Sequence, residues 1–156
     1  MKKLAVVLGI MLSVLVGNAQ EEEKLVRMTL TSTVYGPVMI DTLSAPNKLP
    51  SDVVFIRTTI FVIDLEEMTI TKTTGEGSKT LNIDKIYDPF ENGINTSRTF
   101  WADGFMICVT STIDDAADSG HYLSVQESID YIKENENPWY VNLYYVNSKD
   151  FKVKYK

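Results

Sequence analysis

The stretch Arg98-Thr99-Phe100-Trp101-Ala102-Asp103-Gly104-Phe105-Met106-Ile107-Cys108-Val109-Thr110 decides the fold class. Two β-prone runs, Arg98 to Trp101 and Phe105 to Ile113, flank Asp103-Gly104. An Asp-Gly pair in that setting is a strong hairpin signal. A two-residue turn that follows the twist of its strands needs positive φ, and these two residues tolerate it best.

The same reading extends outward in both directions. Val26, Met28, Leu30 and Val34 alternate with Arg27, Thr29, Thr31 and Thr33, the pattern of a half-buried strand. Asp52 to Asp64 is a β-branched run, apolar on both faces, expected to bend or to be covered on both sides. Met68 and Ile70 alternate with Thr69, Thr71 and Lys72, and Leu81 and Ile83 continue the pattern beyond Gly75-Glu76-Gly77. The two glycines there predict another tight turn. Trp139 to Val146 and Phe151 to Tyr155 predict a last hairpin around Asn147 to Asp150. Phe151, Val153 and Tyr155 share one face of it, and Lys152, Lys154 and Lys156 the other. A lysine row discourages edge pairing between molecules, which predicts a monomer.

One segment departs from period two. Ser124-x-x-Glu127 matches a capping box, and Val125, Ile129 and Ile132 follow at helical spacing. This predicts a short helix over 125–134, stopped by Asn135, Asn137 and Pro138. The alternative is a strand over 121–126 with only the tail helical. The expectation is an all-β domain of about eight antiparallel strands, a barrel or a sandwich, with one short helix near the carboxyl end. The order of strand meander, helix and closing strand is loosely similar to lipocalin-like β-barrels in architecture. The Gly-x-Trp signature of true lipocalins is absent near the first strand.

The first residues read as a targeting segment. Lys2 and Lys3 precede the uncharged run Leu4 to Val16, and Gly17-Asn18-Ala19 supplies small residues for a peptidase. This is the pattern of a secretory signal peptide over 1–19, leaving a single β-rich domain over 20–156 in the periplasm or medium. The apolar run is shorter than the about 20 residues a spanning helix needs, so the mature chain is not expected to span a membrane. Gln20 stands where a lipoprotein would carry cysteine. Removing Lys2 and Lys3 leaves 13 basic against 21 acidic side chains, a net charge of −8. Such a chain repels phosphate backbones, so nucleic acid is not an expected partner.

Catalysis is not expected. The chain has one histidine, His121, and one cysteine, Cys108. That removes disulfide scaffolds and zinc ribbons, and it leaves any nucleophile–base pair to His121 alone. His121 follows the turn-like Asp118-Ser119-Gly120 and has no motif around it. Cys108 lies inside a strand run and reads as buried filler. No phosphate-binding glycine loop or nucleophile elbow is present, and no cofactor is implied.

Binding is the expected role. An eight-stranded barrel can hold one small ligand, and Leu30, Phe55, Trp101, Phe105 and Tyr145 are the candidate core-facing ligand contacts. A meander would gather the connections 65–67, 88–97 and 114–120 at one end. Glu66, Glu67, Asp88 and Glu91 would stand there with Asp114, Asp115 and Asp118, the last three a weak candidate for a hard cation. The other end would carry the Pro-rich connection 36–52, with Leu43 and Leu49 as apolar points. On the strand Trp139 to Val146, Trp139, Val141, Leu143 and Tyr145 are taken as inward. Tyr140, Asn142 and Tyr144 would then face out, or lie beneath the helix. An outward Tyr140 and Tyr144, together with loop 36–52, would suit a partner in the cell envelope. The expected partner is therefore a small apolar molecule or an envelope protein. An outer-membrane barrel is disfavoured by the terminal Lys156 and by the lack of an even outward apolar band.

Overall fold

A computed structural model describes residues 23–40, 54–91, 95–113, 121–128 and 139–156. Nine strands follow in chain order: β1 (Leu25–Ile40), β2 (Phe55–Asp64), β3 (Thr69–Thr74), β4 (Gly77–Ile86), β5 (Phe90–Glu91), β6 (Asn95–Ala102), β7 (Phe105–Ile113), β8 (His121–Ser128) and β9 (Trp139–Tyr155). All pairings are antiparallel, and sequence neighbours pair except for β4 and β5. β1 pairs with β9, and β4 pairs with β6, which closes the sheet on itself. The result is an eight-stranded up-and-down barrel. The two-residue β5 is an extra strand that continues the line of β4 along the same edge of β6. Closure is what lets a sheet of this length avoid open edges.

Local chemistry explains the turns. Asp103 and Gly104 take φ of 45° and 82° between the paired Ala102 and Phe105, the two positive values a tight hairpin needs. At the β3–β4 turn, Gly77 takes φ of 141° opposite Thr74. The β2–β3 turn uses a carboxylate instead. Asp64 Oδ1 accepts the backbone N–H groups of Glu66 and Glu67, both at 3.0 Å, while Oδ2 meets the Arg27 guanidinium. Met68 then takes φ of 54°, a strained value for a residue with a Cβ.

Three expectations are corrected. Val125 to Ser128 are strand, not the first turn of a helix, and the rest of the predicted helix, 129–134, lies outside the described residues. Val125 meets Val109 on β7 and Tyr144 on β9, so pairing on both sides overrides the local capping pattern. The last hairpin is absent: β9 is one strand, and both its halves run antiparallel to β1. Asn147 to Asp150 form an irregularity between the pairs Ser32–Val146 and Leu30–Phe151. Finally, residues 36–40 belong to β1 rather than to a loop. Pro37 is tolerated because its pairing is with Asn142 on β9, beyond the point where β2 begins at Phe55 opposite Tyr35.

The core lies inside the barrel. Met28, Leu30, Phe61, Ile63, Ile70 and Phe100 belong to one cluster with Ile107, Val125, Tyr144 and Val146. They come from opposite walls, so each strand contributes alternate residues. The turns Gly75–Glu76 and Asp103–Gly104 lie at what we call the upper end. The β2–β3 turn lies at the lower end, where Lys24 and Lys156 exchange backbone hydrogen bonds of 3.0 and 2.9 Å.

Candidate ligand site

Among the described residues, aromatic and ionic side chains crowd the upper interior. Tyr144, 2% exposed, projects inward from β9, and its ring meets Phe61 edge-on at 4.8 Å between centroids. Tyr35 stacks on Tyr144 at 5.0 Å and on Phe55 at 5.2 Å. Beneath this stack, Lys72 from β3 reaches across the barrel to Glu127 on β8, with 2.5 Å from Nζ to Oε2. The Tyr144 hydroxyl donates to the same carboxylate oxygen at 3.1 Å. Burial, reinforced by the Glu127 carboxylate, pushes the Tyr144 hydroxyl well above its ordinary value, so it stays a neutral donor. The Lys72 ammonium also lies 5.1 Å from the Tyr144 ring centre. Arg57, nearer the rim, donates to Thr74 Oγ1 at 2.7 Å and pairs with Glu76 at 3.0 Å. Aromatics and paired charges thus occupy the space and satisfy each other.

The lower interior is different. A cavity of about 290 Å³ opens there. Two ladders of inward residues form its walls. On β6 and β7 the pairs Phe100–Ile107, Arg98–Val109 and Thr96–Ser111 step outward from the core. Across the barrel, Leu30–Phe151, Met28–Val153 and Leu25–Tyr155 step outward on β1 and β9. Phe100, Ile107 and Leu30, all at most 1% exposed, form the sealed floor. Val153 and Tyr155, 41% and 49% exposed, stand at the mouth. The β1–β9 wall is apolar, and the facing wall carries Thr96, Arg98 and Ser111. The mouth is open partly because β8 pairs with β9 only up to Asn147, opposite Tyr122, so beyond it β9 is held by β1 alone among the described residues.

The residues singled out from sequence do not converge on this cavity. Leu30 lies in the sealed core at its floor. Phe105 packs on the core at the upper end, with the Lys79 ammonium 4.9 Å from its ring. Phe55 is 47% exposed at the upper rim. Trp101 lies between the inward Phe100 and Ala102, hence on the outer face. Tyr145 lies likewise between Tyr144 and Val146. Tyr144 and Val146 thus join the core cluster from the face expected to point outward, while Val141 and Leu143, expected to be buried, are fully buried on the other face. Leu43, Leu49, Asp114, Asp115 and Asp118 lie outside the described residues, as does the side chain of Tyr140. Among the described residues, no cluster of three metal-ligating side chains occurs.

The alternation places Phe151, Val153 and Tyr155 on one face without assigning them to a site, and it does not single out Arg98, Thr96 or Ser111. The usable signal was a cation on the same strand face as Phe100 and Ala102, since residues two apart in a strand point the same way. No protein-family model, curated protein or solved structure shows significant similarity to the chain.

Proposed function

We propose that this chain is a secreted, non-enzymatic binding protein that takes one small apolar molecule into the lower mouth of its barrel. One observation carries the reading: the lower interior holds a hollow of about 290 Å³, and the hollow has an apolar wall. Its 290 Å³ sits at the small end of ligand pockets, which run roughly 300–1,000 Å³. At about 30 Å³ per water-sized group, it holds on the order of ten non-hydrogen atoms. Secretion rests on Lys2-Lys3, the run Leu4 to Val16 and Gly17-Asn18-Ala19. The reading assigns no reaction and no cofactor to the chain.

Mass spectrometry on protein purified from its own host tests it. Spectra under native and then denaturing conditions should differ by a small mass that denaturation removes. A bare chain under both conditions, with no apolar probe binding afterwards, contradicts the reading.

A second reading has its own observation. Val54, Phe55 and Ile56 are consecutive and 46%, 47% and 87% exposed at the upper rim. Such a patch suits docking to an envelope protein, because exposed apolar clusters mark interaction sites. Crosslinking from position 56 in the native host separates the two readings. A specific adduct supports docking, and its loss on Ile56→Ser would tie it to this patch.

A further inference from the structure

We infer that the ligand of the lower mouth carries a single carboxylate, and that Arg98 pairs with it inside the barrel. This rests on the reading of that mouth as the ligand site, and it adds the ligand's chemistry.

The inward-facing cations provide the argument. Lys72 has Glu127, Arg57 has Glu76, and Lys79 has the face of Phe105. Arg98 lines the cavity and has no hydrogen-bond or ion-pair partner among the described residues. It is half-buried, between Val109 across the strand and the apolar β1–β9 wall. A guanidinium carries five donors in a rigid fork, and a partly desolvated cation without a partner is unfavourable. The fork matches a planar carboxylate with two parallel hydrogen bonds. The Thr96 and Ser111 hydroxyls stand one step outward on the same wall, where they can donate to the same head group. One cation matches one negative charge. A phosphate monoester, with nearly two, would leave charge unbalanced among these residues.

The chain's net negative charge acts against any anion. At physiological salt the Debye length is about 8 Å, so distant carboxylates are largely screened while a contact inside the mouth is not. The facing wall of Met28, Phe151 and Val153 would hold the apolar remainder. A head group on Arg98 and a chain lying across the cavity against that wall agree with a cavity of about ten non-hydrogen atoms.

The test compares octanoate, 1-octanol and octyl phosphate by calorimetric titration of the mature protein. It is repeated on Arg98→Met, which keeps the apolar stem, and on Arg98→Lys. Charge-assisted hydrogen bonds contribute about 1.5–3 kcal/mol, so octanoate should bind roughly 10- to 100-fold more tightly than octanol. Arg98→Met should bring the two within about threefold, and Arg98→Lys should retain part of the preference. Octyl phosphate should bind more weakly than octanoate. Equal affinity of wild type for octanoate and octanol overturns the carboxylate while leaving the apolar site standing. So does a preference that survives Arg98→Met, or tighter binding of octyl phosphate. Binding of none of the three to wild type overturns the ligand site itself.

Discussion

The two ends of this barrel share strands β1, β7 and β9 and differ in how their inward residues are used. At the upper end, Tyr144, Phe61 and Tyr35 fill the volume, and each inward cation has an anion or an aromatic ring against it. At the lower end the inward residues line an open cavity, and Arg98 is left without a partner among the described residues. Polar groups inside a barrel therefore do not by themselves mark a site. Those of the upper end satisfy one another and fix a unique packing. Those of the lower end face a hollow.

The comparison breaks most sharply if the two ends prove equally sensitive to truncation. Phe61→Ala, at a fully buried position, should cost about 3–5 kcal/mol in urea unfolding. Phe151→Ala, on the cavity wall, should cost only about 1–2 kcal/mol, because its ring is already partly in water. Similar losses at both positions would mean that the lower end is as well packed as the upper.

The next effect concerns the internal ion pair. Lys72→Met should cost about 2–3 kcal/mol, since it leaves Glu127 largely buried without its cation. Adding Glu127→Gln should recover more than half of that loss, because the Tyr144 hydroxyl keeps an acceptor while the orphan charge disappears. Strict additivity in this double-mutant cycle would show that the pair is not coupled, and that the upper end is sealed by aromatics alone.

The lower rim supplies two smaller effects. The Glu67 and Glu66 backbone N–H groups and the Arg27 guanidinium hold the Asp64 carboxyl below the usual carboxylate range. Its contribution is therefore present above the ordinary carboxylate pKa of about 4, and it is lost as pH falls through the lower native value. Melting temperatures from pH 5 to pH 2 should fall less steeply in Asp64→Asn than in wild type. Parallel curves would remove Asp64 from the account of this turn. Met68→Gly should raise stability slightly, by about 0.5 kcal/mol, since it relieves the left-handed φ at an exposed position. A clear loss would show that the Met68 side chain matters more than its backbone.

What sequence made legible follows the range of each interaction. Asp103-Gly104 was readable because a tight turn depends on its own two residues. The start of β1 was readable because Val26, Met28 and Leu30 differ in kind from Arg27, Thr29 and Thr31, but the expected place of Val34 was not, because the register shifts between Ser32 and Val34. β9 was not, because Val141, Leu143 and Tyr145 on one face and Tyr144 and Val146 on the other are both apolar. A one-residue shift in reading then exchanges the faces. At Val125 to Ser128, a helical and an extended reading use the same residues, and β7 and β9 decide between them. Glu127 finds its partner 55 residues away in Lys72, which no local pattern announces. Arg98 is the instructive omission: its inward position follows from Phe100 and Ala102, but its lack of a partner appears only when the opposite wall is in place.

The most direct measurement is an amide chemical-shift map of the mature protein titrated with octanoate. The account predicts saturable shifts confined to the lower mouth, at Thr96, Arg98, Val109 and Ser111 and across the barrel at Met28, Phe151 and Val153. Tyr35, Phe61 and Tyr144 at the filled end should stay still. Shifts centred on Val54 to Ile56, or none at any concentration, would contradict it.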